Sequence, residues 1–183
     1  MVPDTLVRCS GNLSFSLSYS LALRLLRHIC VNEAIVDCLL ALKIHIFVIM
    51  SLERSEKLAF ERNCALSFVT FLVVNYTHLI PRSLILSILN IGNDSTDPLR
   101  ISCLKLILRL MMNVPERVVF CDGAQVLLNG CVETNNCSLL QSSLLACLFY
   151  LDSTEFRQKK TVLDLQVIEY LFLIIYRLFL ILC

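Results

Sequence analysis

The chain has 183 residues, of which 57% are apolar and 17% charged, and its formal net charge is +1. That length supports one domain with a sizeable core. The near-zero charge excludes the broad basic face by which proteins hold nucleic acid or acidic lipid. So greasy a composition fits either a membrane protein or part of a larger helical assembly whose faces are normally covered.

In chain order, residues 1–20 do not read as a convincing export signal. Leu13 to Tyr19 alternates with serine, and Arg24 and Arg27 follow this stretch instead of preceding it. A helical signature begins weakly at Tyr19, Ala22, Leu23 and Leu26 and then returns three times, over residues 61–69, 99–107 and 140–148. In each copy a polar residue (Arg62, Arg100, Gln141) is followed three places on by Ala65, Cys103 or Leu144, and then by Leu66, Leu104 or Leu145. An apolar residue one turn further on (Val69, Ile107, Leu148) completes the pattern. A helical period of about 40 residues predicts an all-α array of the armadillo or HEAT type, an α-solenoid of roughly three to four repeats. Each such repeat buries only part of its apolar surface alone, so neighbours must stack.

The punctuation agrees with short helices of about 10 to 15 residues. Pro81, Pro98 and Pro115 each open an apolar-periodic segment, and Asp97 stands where its carboxylate can cap the next helix. Gly92-Asn93-Asp94, Asp122-Gly123 and Thr134-Asn135-Asn136 read as turns that end helices. Apolar residues recur at three- and four-residue spacing, as in Leu99, Cys103, Leu106, Ile107 and Leu110, and this excludes strands. Arg62, Arg100, Arg109 and Arg117 recur along the array and suggest a groove for an acidic segment. The simpler reading is that long basic side chains cover helix edges with their charges in water.

Towards the end, Arg157-Gln158-Lys159-Lys160 reads as a solvated helix end. Leu165 to Cys183 is apolar enough to raise a tail anchor, but Glu169 and Arg177 lie within it, each costing about 2–3 kcal/mol near a bilayer centre. Gln166, Glu169, Tyr170 and Arg177 fall opposite Ile168, Leu171, Phe172, Ile175 and Phe179, which predicts an amphipathic core helix. Leu178 to Cys183 is unbroken apolar and reads as a chain cut off within its structure. Neither end offers a polar outer face, so poor solubility in isolation is expected.

Catalytic chemistry finds little support. The ten cysteines include no C-x-x-C pair and read as reduced core thiols in a cytosolic protein. Sequons at Asn12, Asn75, Asn93 and Asn136 do not outweigh them. His28, His45 and His78 have no partner at metal-ligand spacing, and His78 reads as a turn residue. There is no nucleophile elbow, and four glycines are too few for a phosphate cradle. Asp122 beside Cys121 would raise that thiol's pKa and oppose nucleophilicity. No catalytic, cofactor or metal site is expected, nor a small-molecule substrate.

From about Leu21 to Tyr170 the order and spacing of several segments resemble the amino-terminal armadillo-like region of the Rictor family, called Pianissimo in some organisms. These are Glu61-Arg62 with Ala65-Leu66, Tyr76 to Pro81 with Ser83, and Ile88 to Asp94 ending in Ile91-Gly92-Asn93-Asp94. Asn113 to Val119 with Asp122-Gly123, and Leu144 to Leu151 with Thr154 and Arg157, continue the series. The resemblance implies residues 21–170 as the array, flanked by a poorly matched segment 1–20 and an apolar segment 171–183. It implies a noncatalytic scaffold or regulatory subunit of TOR complex two, or a fragment of one, in TOR signalling. Its implied partners are TOR kinase and Sin1-type subunits, in presenting kinases of the Akt type. Its implied location is cytoplasmic, with peripheral membrane association only through the complex. A generic armadillo or HEAT adaptor and a tail-anchored or integral membrane protein are the alternatives.

Overall fold

The computed structural model describes residues 4–133 and 136–152, and every regular element among them is helical. In order these are α1 (Asp4–Ile29), α2 (Glu33–Ala41), α3 (Ile44–Leu52), α4 (Ala59–Asn75) and α5 (Arg82–Asn93). They continue as α6 (Arg100–Asn113), α7 (Pro115–Val119), α8 (Gly123–Glu133) and α9 (Cys137–Asp152), with short 3-10 turns at Glu56–Leu58 and Thr77–Leu79. The fold is an all-α helical repeat array. It divides into two compact units, Met1–Ser87 and Ile88–Cys183, the division falling within α5. The assignments of residues 157–160, 165–183 and 171–183 lie outside the described residues.

The first unit is organised by α4, which packs against α1 and α3. Ala65, Leu66, Phe68, Val69, Leu72 and Val73 form its buried stripe, the i, i+3, i+4, i+7 pattern of a helix with one apolar face. On α1 the buried residues are small or apolar: Ser16, Ser20 and Leu23, with Cys30 just beyond the helix. Ser20 Oγ donates to the Ser16 carbonyl at 2.8 Å, so burying that hydroxyl leaves no orphaned donor. Asn32 caps α2 by accepting the Ile35 amide at 3.0 Å. The chain then turns through 78° into α3 at Lys43, which adopts a left-handed φ of 64°.

In the second unit α6 is central, packing against α7, α8 and α9. It buries Cys103, Leu104, Leu106, Ile107, Leu110 and Met111. Asp97 orders the turn ahead of it, accepting the Leu99 amide at 2.8 Å, while Leu99 at the N-cap position makes no side-chain cap bond. Just upstream, Asp94 Oδ1 accepts from the Thr96 hydroxyl at 2.7 Å and its amide at 2.9 Å, and those two bonds hold the Asp94 carboxyl below its usual range. Asn136 caps α9 through the Leu139 amide at 3.1 Å.

Three sequence expectations need correction. First, the glycines are not turn residues. Although α5 stops at Asn93, Gly92 lies inside it and Gly123 opens α8. No glycine described has positive φ, and the left-handed residue of the α7–α8 turn is Asp122, at φ 57°. The glycines serve close packing instead. A Cβ at Gly123 would stand 2.5 Å from Val118 Cγ1 and 2.8 Å from the Val118 carbonyl oxygen, and one at Gly130 would stand 2.6 Å from Leu104 Cδ2. Second, the third copy of the repeat is one residue out of register. Ser143, Ala146 and Cys147 are buried, while Leu145 and Leu148 are 49% and 51% exposed. Leu140, not Gln141, therefore occupies the position of Arg62 and Arg100. Third, the 26-residue α1 exceeds the predicted helix length.

Among the described residues one helical stretch, Glu56–Asn75, is long and apolar enough to cross a membrane. It contains α4, which carries the buried Glu61 and Arg62 and the core stripe of the first unit, so its apolar face is already occupied by protein. The glycine packing gives a direct test. Gly123→Ala should destabilise the fold by about 1–3 kcal/mol through overpacking against Val118, despite alanine's better helix propensity. A lower midpoint in urea denaturation at unchanged slope is the expected result.

Candidate functional site

The recurring arginines are structural clamps. Arg62 and Arg100 are 3% and 7% exposed, so neither holds its charge in water as the simpler sequence reading supposed. Each sits near the start of its helix and reaches back to the end of an earlier one. Arg62 Nε donates to the carbonyl of Leu52, the last residue of α3, at 2.8 Å. Arg100 Nε donates to the carbonyl of Gly92, the penultimate residue of α5, at 3.1 Å. Helix C-termini leave carbonyls without intrahelical donors and carry partial negative charge, so a cation placed there satisfies both deficits.

A second nitrogen of Arg100 makes a further pair within the same unit. Its Nη2 pairs with Oε2 of Glu133, the last residue of α8, so one guanidinium joins the ends of two helices. In the first unit Glu61 is buried beside Arg62, and Arg54 Nε stands 3.6 Å from its Oε1. Arg54 in turn lies over the Tyr19 ring, 5.5 Å from its centroid. Arg109 and Arg117, by contrast, are exposed.

The thiols are disposed as the sequence reading expects of core cysteines. Cys30, Cys103, Cys121, Cys131 and Cys147 are buried, whereas Cys38 and Cys137 are exposed. Burial pushes the Cys147 thiol up to about 12, aided by the proximity of Cys131. Burial also raises Cys131, partly offset by its contact with Ser143 Oγ at 3.5 Å and by Arg100. His78 lies in the Thr77–Leu79 turn and meets Glu33 at 2.8 Å on the surface. Among the described residues no three His, Cys, Asp or Glu side chains gather as metal ligands.

One concave feature stands out in the first unit. A groove of about 630 Å3 runs between α1 and α4, with Leu23, Arg24, Arg27 and His28 along one wall. Phe60, Asn63, Ser67 and Phe68 face them from α4. Arg27 Nη1 donates to Ser67 Oγ at 3.3 Å, and its guanidinium lies 5.7 Å from the centroid of the Phe71 ring. Sequence reading missed this groove because its parts are 40 residues apart and each cation alone looks like a solvated helix residue.

The amino-terminal family model of Rictor, the rapamycin-insensitive companion of mTOR, matches residues 14–173. The chain belongs to the Rictor family. No curated protein and no solved structure matches it. For this Rictor-family chain the match takes in every helix from the second half of α1 onward, so both clamps and the groove lie inside the family region.

Two measurements test these assignments. Arg62→Met and Arg100→Met should each destabilise the fold by about 2–3 kcal/mol, because a helix-end carbonyl loses a charged donor inside the protein. Arg100→Lys should not restore the loss, since an ammonium lacks the fork that joins Gly92 to Glu133. Gln141→Ala, at the exposed position of the third copy, should stay within about 0.5 kcal/mol in the same denaturation series.

The thiols give the second. At pH 8 a thiol with a pKa of about 12 is thiolate at roughly one part in ten thousand. Iodoacetamide mapped by mass spectrometry should therefore modify Cys38 and Cys137 while sparing Cys131 and Cys147 until denaturant is added. Because the folded value of Cys147 is raised, its contribution to stability is complete below its ordinary 9.0 and is lost as pH rises through about 12. The denaturation midpoint should fall across that alkaline window.

Proposed function

We propose that this chain is a noncatalytic scaffold segment of TOR complex two, acting in TOR signalling through protein–protein binding. The family match over residues 14–173 is the observation that carries this reading. In it, residues 21–170 form the armadillo-like array, with 1–20 and 171–183 as flanking segments. TOR kinase and Sin1-type subunits are its partners, and the cytoplasm is its place of action.

The physical character of the described region supports a scaffold. Both unit centres are helices held by buried arginine clamps, which is the rigidity that presenting a surface demands. The most perturbed thiol, Cys147, is pushed towards the neutral form, which opposes use as a nucleophile at physiological pH. Exposed apolar residues such as Leu17, Leu21, Leu25 and Ile29 recur every fourth position along α1 and give it an uncovered outer face.

The test is co-purification. An affinity tag placed on the endogenous gene should retain TOR kinase and its companion subunits under conditions that keep the complex intact. Arg100→Met, which loosens the second unit, should reduce that recovery. A tagged protein that reproducibly lacks TOR kinase would sink the proposal and leave an adaptor for other partners.

A further inference from the structure

We propose that the groove between α1 and α4 is a docking site for an acidic, hydrophobic peptide segment of a protein partner. Arg24, Arg27 and His28 fall at i, i+3 and i+4 on α1, so all three cationic or ionisable groups share one face. No acidic residue lines the groove, and neither Arg24 nor His28 makes an ion pair among the described residues. Cations in the last turn of a helix are ordinary complements to its dipole, which accounts for Arg27 and His28. It does not account for Arg24, which lies a turn earlier and lines the same space.

The geometry is that of a prepared site. Arg27 is fixed in place by Ser67 and the Phe71 ring, so little side-chain entropy remains to be lost when an anion arrives. Leu23 and Phe68, 1% and 2% exposed, back the groove from within the core, and Phe60, 56% exposed at the rim, is the apolar side chain open to a ligand. Asn63 and Ser67 stand one turn apart on α4 and offer hydrogen-bonding groups to an extended backbone.

Charge complementarity and shape together select the occupant. Side-chain carboxylates would meet the α1 wall, and an apolar side chain between them would meet the exposed Phe60 ring. A volume of about 630 Å3 suits a few side chains, within the several-hundred Å3 typical of ligand clefts. A bilayer is flat on this scale and cannot follow a concave surface between two helices. Nucleic acid would require a longer basic track than these residues provide.

This inference deepens the scaffold reading and rests on it only in taking the ligand to be protein. The experiment uses the purified full chain and a fluorescein-labelled peptide in which glutamates alternate with leucine and phenylalanine. The matched control replaces each glutamate by glutamine. Fluorescence anisotropy should show saturable binding of the glutamate peptide, weakened at least about tenfold in the glutamine control and by Arg24→Glu. Arg24 is exposed and outside the core, and circular dichroism on the variant shows whether the helices are retained. Lys105→Glu, an exposed charge change in the second unit, should leave affinity unchanged.

Equal binding of the two peptides, or full affinity in a folded Arg24→Glu protein, would overturn the proposal. So would capture of the chain by phosphatidylserine vesicles in an Arg24-dependent manner with no peptide binding, which would assign the cations to a membrane surface. Any of these would leave TOR kinase co-purification untouched, so failure of the groove and failure of the scaffold reading are separable.

Discussion

A guanidinium buried against the terminal carbonyl of an earlier helix holds each unit of this protein together. Bringing an arginine out of water is costly, and the cost is offset only when its donors meet acceptors of good geometry. The ends of α3 and α5 provide such acceptors, because their last carbonyls lack partners within the helix and carry the negative pole of its dipole. The bond does more than satisfy a carbonyl. It fixes where the end of one helix lies relative to the start of another, and thereby where α4 and α6 present their apolar stripes.

Close packing around those stripes follows from the same positioning. In the second unit α8 approaches until Gly130 meets the Leu104 side chain and Gly123 meets Val118, whose backbone carbonyl leaves no room for a Cβ at Gly123. Arg100 then reaches from the end of α5 to Glu133 at the end of α8. The polar clamp at Glu133 thus lies one turn from the Gly130 contact, with Gly123 at the far end of α8, and the contacts are mutually consistent, as expected for a uniquely folded array. In the first unit the small side chains of Ser16 and Ser20 are buried on α1, and the Ser20 hydroxyl bonds its own helix.

Much of this fold was legible in the sequence, and the reasons differ by element. The turn at Asp97, the helix over residues 100–113 and the stop at Asn93 follow from local chemistry that does not depend on neighbours, whereas Asn136, read as a turn residue, caps α9. The arginine position was visible as a recurrence, but its burial was not deduced. Arg62 and Arg100 fall three residues before a buried small residue, on the apolar face itself, and that placement was the available signal. The third copy slipped by one because leucine occupies both Leu144 and Leu145, so hydrophobicity alone cannot choose the register. Gly123 was misread because a glycine after aspartate suits a turn as well as a contact, and only its distance from Val118 distinguishes them. The groove was beyond reach of sequence, since it depends on the pairing of α1 with α4.

The separation of the clamp partners along the chain bears on how the protein assembles as it is synthesised. Arg62 and Leu52 are ten residues apart, and Arg100 and Gly92 eight, so each bond closes a short loop at small entropic expense. The pairing of Arg100 with Glu133 spans 33 residues and must wait for α8. Gly92 is therefore available to Arg100 before Glu133 is, an order set by the direction in which the chain is translated.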